Sequence, residues 1–129
     1  MRGPVALAAL LGVTGAVGGV AWLVQRSGGE ADCSDTVVAE SRAPGGHWVA
    51  ALFSRRCGGS ETTQVALRRA GAPFAPLDAD VVFIAAGHEE VKLSWAVEPE
   101  AVIVETRAGR VIREGHSWRK VGVQVRRVR

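Results

Sequence analysis

The sequence HWVAALFSRRCGGSETTQVAL, residues 47–67, decides the fold of this chain. Residues 48–53 are apolar on both sides of an extended chain, which is typical of a strand buried in a core. Val65 and Leu67 alternate with more polar residues, so the second strand has one buried face and one wetter face. Cys57-Gly58-Gly59 predicts the turn between them, because glycine reaches φ values that other residues resist. The stretch therefore predicts a central β-hairpin.

The chain around this hairpin repeats the pattern of short strands and turns. Residues 91–97 alternate apolar and polar side chains with the clearest period of two in the chain. Further strands are predicted over 36–40, 81–85, 101–106, 110–114 and 121–125. The sequence thus predicts an all-β fold, an antiparallel meander of seven or eight short strands in a small sandwich or open barrel. Its core is expected to contain Trp48, Leu52, Val65, Leu67, Phe83, Leu93, Trp95 and Val123.

The N-terminal segment is apolar from Pro4 to Val24 and is interrupted only by Thr14. As a helix this run is long enough to cross a hydrocarbon core of ~30 Å. Trp22 and Arg26, at its far end, are typical of residues at a membrane interface. We expect an uncleaved single-pass membrane anchor, with a cleavable signal peptide as the alternative. The short basic N-terminus should stay in the cytoplasm, so the domain lies outside.

The chain accordingly divides into three parts. Residues 1–26 are the predicted membrane anchor (or signal peptide), with the membrane span at 4–24; residues 27–32 are a flexible linker, and residues 33–129 are one extracytoplasmic β-domain. The domain contains both cysteines of the chain, Cys33 and Cys57. Two cysteines behind an apolar leader predict one disulfide in an oxidising compartment, the alternative being two unrelated buried thiols.

Charge is distributed unevenly along the chain. Residues 27–106 carry six basic and twelve acidic side chains, whereas residues 107–129 carry eight basic and one acidic. The domain as a whole is nearly neutral, which argues against a nucleic-acid partner. The basic C-terminal segment has two readings: a surface for an anionic or acidic partner, or protection of an edge strand from pairing with another chain. The residues in question are Arg119, Arg126, Arg127 and Arg129.

Residue types that carry chemistry are sparse. His47, His88 and His116 show no metal-binding spacing such as H-E-x-x-H, so no metal, cofactor or catalytic residue is predicted. The favoured hypothesis is a binding or scaffolding module without catalysis. The alternatives are a small hydrolase or metal-dependent enzyme that uses the histidines, and an inhibitor or immunity-type partner protein.

The phrase from Ala43 to Ala50, APGGHWVA, resembles the S-P-D-G-K-W-x-A turn and strand of small exported bacterial proteins. It is followed by Phe53, Arg55, Cys57-Gly58, Thr63-Gln64-Val65, Val82-Phe83 and Trp95. This order resembles a family of small, membrane-anchored or exported bacterial domains of unknown function, with the pattern F-x-R-x-C-G…T-Q-V…V-F…W. The resemblance implies a bacterial inner or cytoplasmic membrane location with the domain in the periplasm or cell exterior. It implies no activity.

Overall fold

The protein is described here by a computed structural model, which covers the backbone of residues 22–26 and all atoms of residues 32–128. No helix in this part of the chain is long and apolar enough to span a membrane. The predicted transmembrane helix falls on residues 4–24, most of which lie outside the described residues. Its last three residues, Trp22–Val24, belong to a β-strand.

The described residues form ten strands. They are β1 Trp22–Arg26, β2 Cys33–Arg42, β3 Trp48–Cys57, β4 Ser60–Arg69, β5 Val81–Ala86, β6 Val91–Val97, β7 Glu100–Thr106, β8 Val111–Glu114, β9 Ser117–Trp118 and β10 Val121–Arg127. One sheet has the order β1-β2-β3-β4-β5-β8 and the other the order β6-β7-β10-β9. The predicted all-β class is confirmed, and the two sheets pack face to face.

The strands β1 to β5 follow one another as an antiparallel meander, as the sequence predicts. The prediction of a wholly antiparallel fold is wrong at one place, because β10 pairs with β7 in parallel. The physical reason is the path of β8 and β9. After β8 joins the first sheet, the chain crosses to the second sheet through the short strand β9, and β10 then runs in the direction of β7.

The central hairpin forms as its sequence predicts. Cys57 lies opposite Ser60, so that Gly58 and Gly59 alone make the turn, and Gly58 has a φ of 60°. The register runs without a shift to the open end of the hairpin, where Trp48 lies opposite Arg69. The tight turn thus fixes which side chains are neighbours along the whole length of the hairpin.

At β3 both faces of the six-stranded sheet are buried, which explains why this strand is apolar on both sides. The face toward the second sheet contributes Leu52, Val65, Leu67 and Phe83 to the main core. On the opposite face, Phe53 packs edge-on against Phe74, with ring centroids 5.1 Å apart. Phe74 comes from the segment that connects β4 to β5, which ends in a short 3-10 helix, Asp78–Asp80. This segment covers part of the second face.

Three of the expected core residues are only half-buried: Trp48, Leu93 and Trp95. They pack against the core without being enclosed by it. Trp48 is the first residue of β3, and Leu93 and Trp95 belong to β6, which is an edge strand. Periodicity identifies the face of a strand but not its distance from the edge of the sheet.

Candidate interaction site

A disulfide joins Cys33 to Cys57, as the sequence predicts. The two cysteines are direct neighbours in the antiparallel ladder of β2 and β3, with Cα atoms 4.1 Å apart. The bond therefore connects the first residue of β2 to the last residue of β3, beside the Gly58-Gly59 turn. This placement gives Cys57 a structural role.

An ion pair lies two residues along the β2–β3 ladder from the disulfide. Arg55 donates through Nε and Nη2 to the two carboxylate oxygens of Asp35, at 2.8 and 2.9 Å. The Asp35 side chain is 0% exposed, and the hydrogen bond to it raises the pKa of Arg55. The guanidinium also lies 5.6 Å from the ring centroid of Phe53. The pair ties β2 to β3 and leaves Asp35 inaccessible to a ligand.

The end of the hairpin carries a polar group of Ser54, Glu61 and His88. Ser54 Oγ donates to Glu61 Oε2 at 2.7 Å, and His88 Nδ1 lies 3.3 Å from the same oxygen. The hydrogen bond from Ser54 is the largest cause that lowers the pKa of Glu61; the contacts with His88 and Arg56 act in the same direction. In a catalytic triad the imidazole stands between hydroxyl and carboxylate. Here the carboxylate stands between the other two, so His88 is not placed to take the Ser54 proton.

The histidines of the enzyme hypothesis are distributed over the molecule. His47 precedes the first residue of β3, whereas His88 contacts Glu61, just after the turn at the far end of the hairpin. The ten residues of β3 lie between these two positions, so His47 and His88 are roughly 30 Å apart. His116 lies between β8 and β9. In the part of the chain that the structure describes, no three metal-ligating side chains come together.

An aromatic and basic cluster lies at the opposite end of the hairpin. The rings of Trp48 and Trp118 meet edge to face, with centroids 5.3 Å apart. Trp118 Nε1 donates to Asp80 Oδ1 at 3.1 Å, which fixes the indole of this buried residue. The guanidinium of the exposed Arg119 lies over the same indole, 4.9 Å from its centroid. We call Trp48, Trp118 and Arg119 the tryptophan–arginine cluster.

The backbone at Arg119 is unusual. Arg119 and Lys120 form the two-residue connection between β9 and β10, and Arg119 has a φ of 55°. This left-handed conformation favours glycine or asparagine over a residue with a long side chain. Among the described residues, Arg119 is the one position with a positive φ that is not glycine. An outlier of this kind supports a hypothesis of function.

Two further cations adjoin the cluster in the chain or in the ladder. Lys120 follows Arg119, and Arg69 lies directly opposite Trp48. Both side chains are exposed. Arg69 was not among the predicted site residues, although the two-residue glycine turn fixes the register that places it beside Trp48. The contact of Trp48 with Trp118 has no signal in the sequence, because it joins the two sheets.

The predicted arginine surface is divided in the structure. Arg119 lies before β10, and Arg126 and Arg127 lie at the other end of that strand, roughly 20 Å away. Arg127 pairs with Glu114, whereas Arg126 donates to Gln124 Oε1 at 3.3 Å. The two arginines occupy the part of β10 beyond its pairing with β9, which fits the edge-protection reading for them. The remaining member, Arg129, lies outside the described residues.

Comparison with known proteins adds no relative. No protein-family model, curated protein or solved structure matches this chain. The resemblance of the sequence to small anchored bacterial domains therefore stays a prediction.

Proposed function

We propose that this protein is a membrane-anchored extracytoplasmic binding module whose partner is anionic and is bound at the tryptophan–arginine cluster. The observation that carries the proposal is Arg119, an exposed cation held over an indole by a turn in an unfavourable backbone conformation. A glycine would make the same turn at lower conformational cost. The turn therefore does not require the arginine side chain, and we infer that the side chain is there to bind a partner.

The surroundings of Arg119 favour an anionic group of a partner. Its guanidinium has no ion pair among the described residues, unlike Arg55, Arg68, Arg113 and Arg127, which all pair with carboxylates. Stacking on an indole leaves the planar face occupied but the N–H edge available for hydrogen bonds to oxygen. Lys120 and Arg69 add positive charge nearby. Such a group of donors fits a phosphate or carboxylate of a partner.

The location in the membrane rests on the sequence. Because Trp22–Val24 form part of β1, the apolar run that remains for a membrane helix is Pro4–Ala21. Eighteen residues of helix measure about 27 Å, which still suits a single span. In this arrangement β1 begins directly at the membrane surface, so the domain is held close to it.

The test is capture of partners from native membranes with the full-length protein and its Arg119→Gln variant. We expect the variant to lose association, and we expect association of the unchanged protein to fall as salt is raised. The matched control is Arg110→Gln, which removes one exposed arginine from the turn before β8. Equal association for all three proteins would overturn the proposal.

A second variant separates the two ends of β10. Arg126→Gln combined with Arg127→Gln removes the charges of the far end and leaves the cluster intact. If association depends on this variant and not on Arg119→Gln, the anionic partner binds at the end of β10 and the cluster is structural.

A further inference from the structure

The loop of residues 70–77 connects β4 to the short 3-10 helix Asp78–Asp80 and has apolar residues on both of its sides. Its sequence, AGAPFAPL, contains no charged or hydrogen-bonding side chain. Ala72, Phe74 and Pro76 are buried or half-buried, whereas the residues that alternate with them are exposed. We call these exposed residues the apolar row: Gly71, Pro73, Ala75 and Leu77. Covering the sheet requires only the inward residues, and an exposed group of apolar residues is typical of a contact surface.

Leu77 is the most exposed of the large apolar side chains in the part of the chain that the structure describes, at 70%. Its backbone is nevertheless fixed at both of its polar groups. Leu77 N donates to Asp80 Oδ2 at 3.0 Å, and Leu77 O accepts from Asp80 N at 2.9 Å. Earlier in the loop, Arg68 Nε donates to Ala72 O at 2.9 Å. The loop therefore holds its exposed residues in place, so little conformational entropy is lost when they bind.

The sheet face beneath the loop carries charges that are neutralised in pairs. Successive strand neighbours Phe53, Gln64, Ile84 and Arg113 share this face, as the pairing registers show. Three of its arginines form ion pairs at 2.8 to 3.0 Å: Arg55 with Asp35, Arg68 with Glu40 and Arg113 with Asp78. An apolar loop over paired charges suits an apolar surface better than an ionic partner.

The opposite side of the domain has a different character. Val102 and Val104 of β7 face the core, so the residues that alternate with their neighbours in the second sheet face outward. This outer face carries exposed polar side chains from β6 and β10: Lys92, Ser94, Gln124 and Arg126. The domain is thus apolar on the side of the loop and polar on the side of the second sheet.

The apolar N-terminal run ends close to the loop. The run stops at position 21, and β1 begins at Trp22 without a linker. The backbone of Trp22 pairs with Val37, and Val37 pairs with Phe53, on which the loop is packed through Phe74. Two strand spacings, roughly 10 Å, therefore separate Trp22 from Phe53. A bilayer that holds the run must lie beside this part of the sheet.

We propose that the apolar row, with Leu77 foremost, docks on the surface of the lipid bilayer that holds the N-terminal run. The inference rests on the membrane location in the proposed function, but not on the anionic partner. Apolar side chains of this kind bind at the boundary between headgroups and acyl chains. Because the contact is apolar, it should form on neutral lipid and persist at high salt. It turns the polar second sheet away from the membrane.

The test uses the full-length protein in phosphatidylcholine vesicles, with a fluorophore on Leu77→Cys. The two native cysteines are joined in a disulfide, so the introduced thiol takes the label. We expect nitroxide-labelled phosphatidylcholine to quench this fluorophore and aqueous iodide to leave it bright. The matched control is Val97→Cys, which is 68% exposed but lies on β6 of the second sheet. Its label should show the reverse pattern.

A second position guards against an effect of the label at one site. Ala75→Cys, also in the apolar row, should behave like Leu77→Cys, and raised salt should change neither result. Protein that floats with the vesicles but shows equal lipid quenching at positions 77 and 97 would overturn the docking alone. Loss of lipid quenching in high salt would also overturn it, since the contact would then be ionic. Protein that does not float with the vesicles would overturn the membrane location and the docking together.

Discussion

Asp35 shows at the scale of one residue how this small domain uses a buried charge. Its carboxylate is 0% exposed and accepts two hydrogen bonds from Arg55, whose side chain is 25% exposed. Removing one partner of such a pair leaves the other without its counter-charge. The pair therefore holds β2 against β3 in addition to the backbone hydrogen bonds between the two strands.

We expect Asp35→Ala to lower the free energy of unfolding by about 2 to 4 kcal/mol, because the partly buried Arg55 loses both of its acceptors. Glu114→Ala, which breaks the exposed pair with Arg127, should cost less than about 1 kcal/mol. Chemical denaturation of the two variants measures the difference. Equal losses would show that burial of the Asp35 pair has no energetic weight.

Glu61 should make the stability of the fold depend on pH. The hydrogen bond from Ser54, with smaller contributions from His88 and Arg56, holds the pKa of Glu61 below its ordinary value of 4.5. A carboxyl with a lowered pKa in the folded state stabilises the fold above its unfolded pKa, and this stabilisation is lost as the pH falls through the folded pKa. Melting temperatures of the unchanged protein and Glu61→Gln should thus converge below pH 4.5. A constant difference across this range would contradict the assignment.

At the scale of the element, the hairpin of β9 and β10 combines a strained turn with an exposed cation. Arg119→Ala keeps a Cβ in the left-handed conformation, whereas Arg119→Gly removes it, and neither variant keeps the contact with Trp118. The glycine variant should therefore be more stable than the alanine variant by about 1 kcal/mol. Thermal unfolding of both variants tests this. At Lys120, which does not have a positive φ, alanine should be the more stable of the two.

The strands differ in how far their sequences predict them. The run from Trp48 to Phe53 is apolar on both sides and correctly predicts a strand buried on both faces, and the only two cysteines correctly predict the disulfide. The two-residue strand β9 is too short to show periodicity. The parallel pairing of β10 with β7 depends on the crossing between sheets, which alternation along a single strand does not encode.

At the scale of the whole molecule, the candidate site combines parts that are distant in the chain. Trp48 comes from β3 and Trp118 from β9, so their contact exists only when the two sheets have packed. The charge of the C-terminal segment identified Arg119, but it predicted that all four C-terminal arginines form one surface. The division between Arg119 and the pair of Arg126 and Arg127 follows from the length of β10, because they lie at opposite ends of that strand.

The position of β10 inside its sheet has a consequence for biosynthesis. This strand lies between β7 and β9, so the second sheet has a gap until residues 121–127 have been made and have reached their place. The meander of β2 to β5 can pair as it emerges from the ribosome, because β3, β4 and β5 each pair with the strand before them. The second sheet has to wait for β10, which is synthesised after both of its neighbours. The hairpin of β6 and β7 is therefore open to chaperones and proteases until that strand arrives.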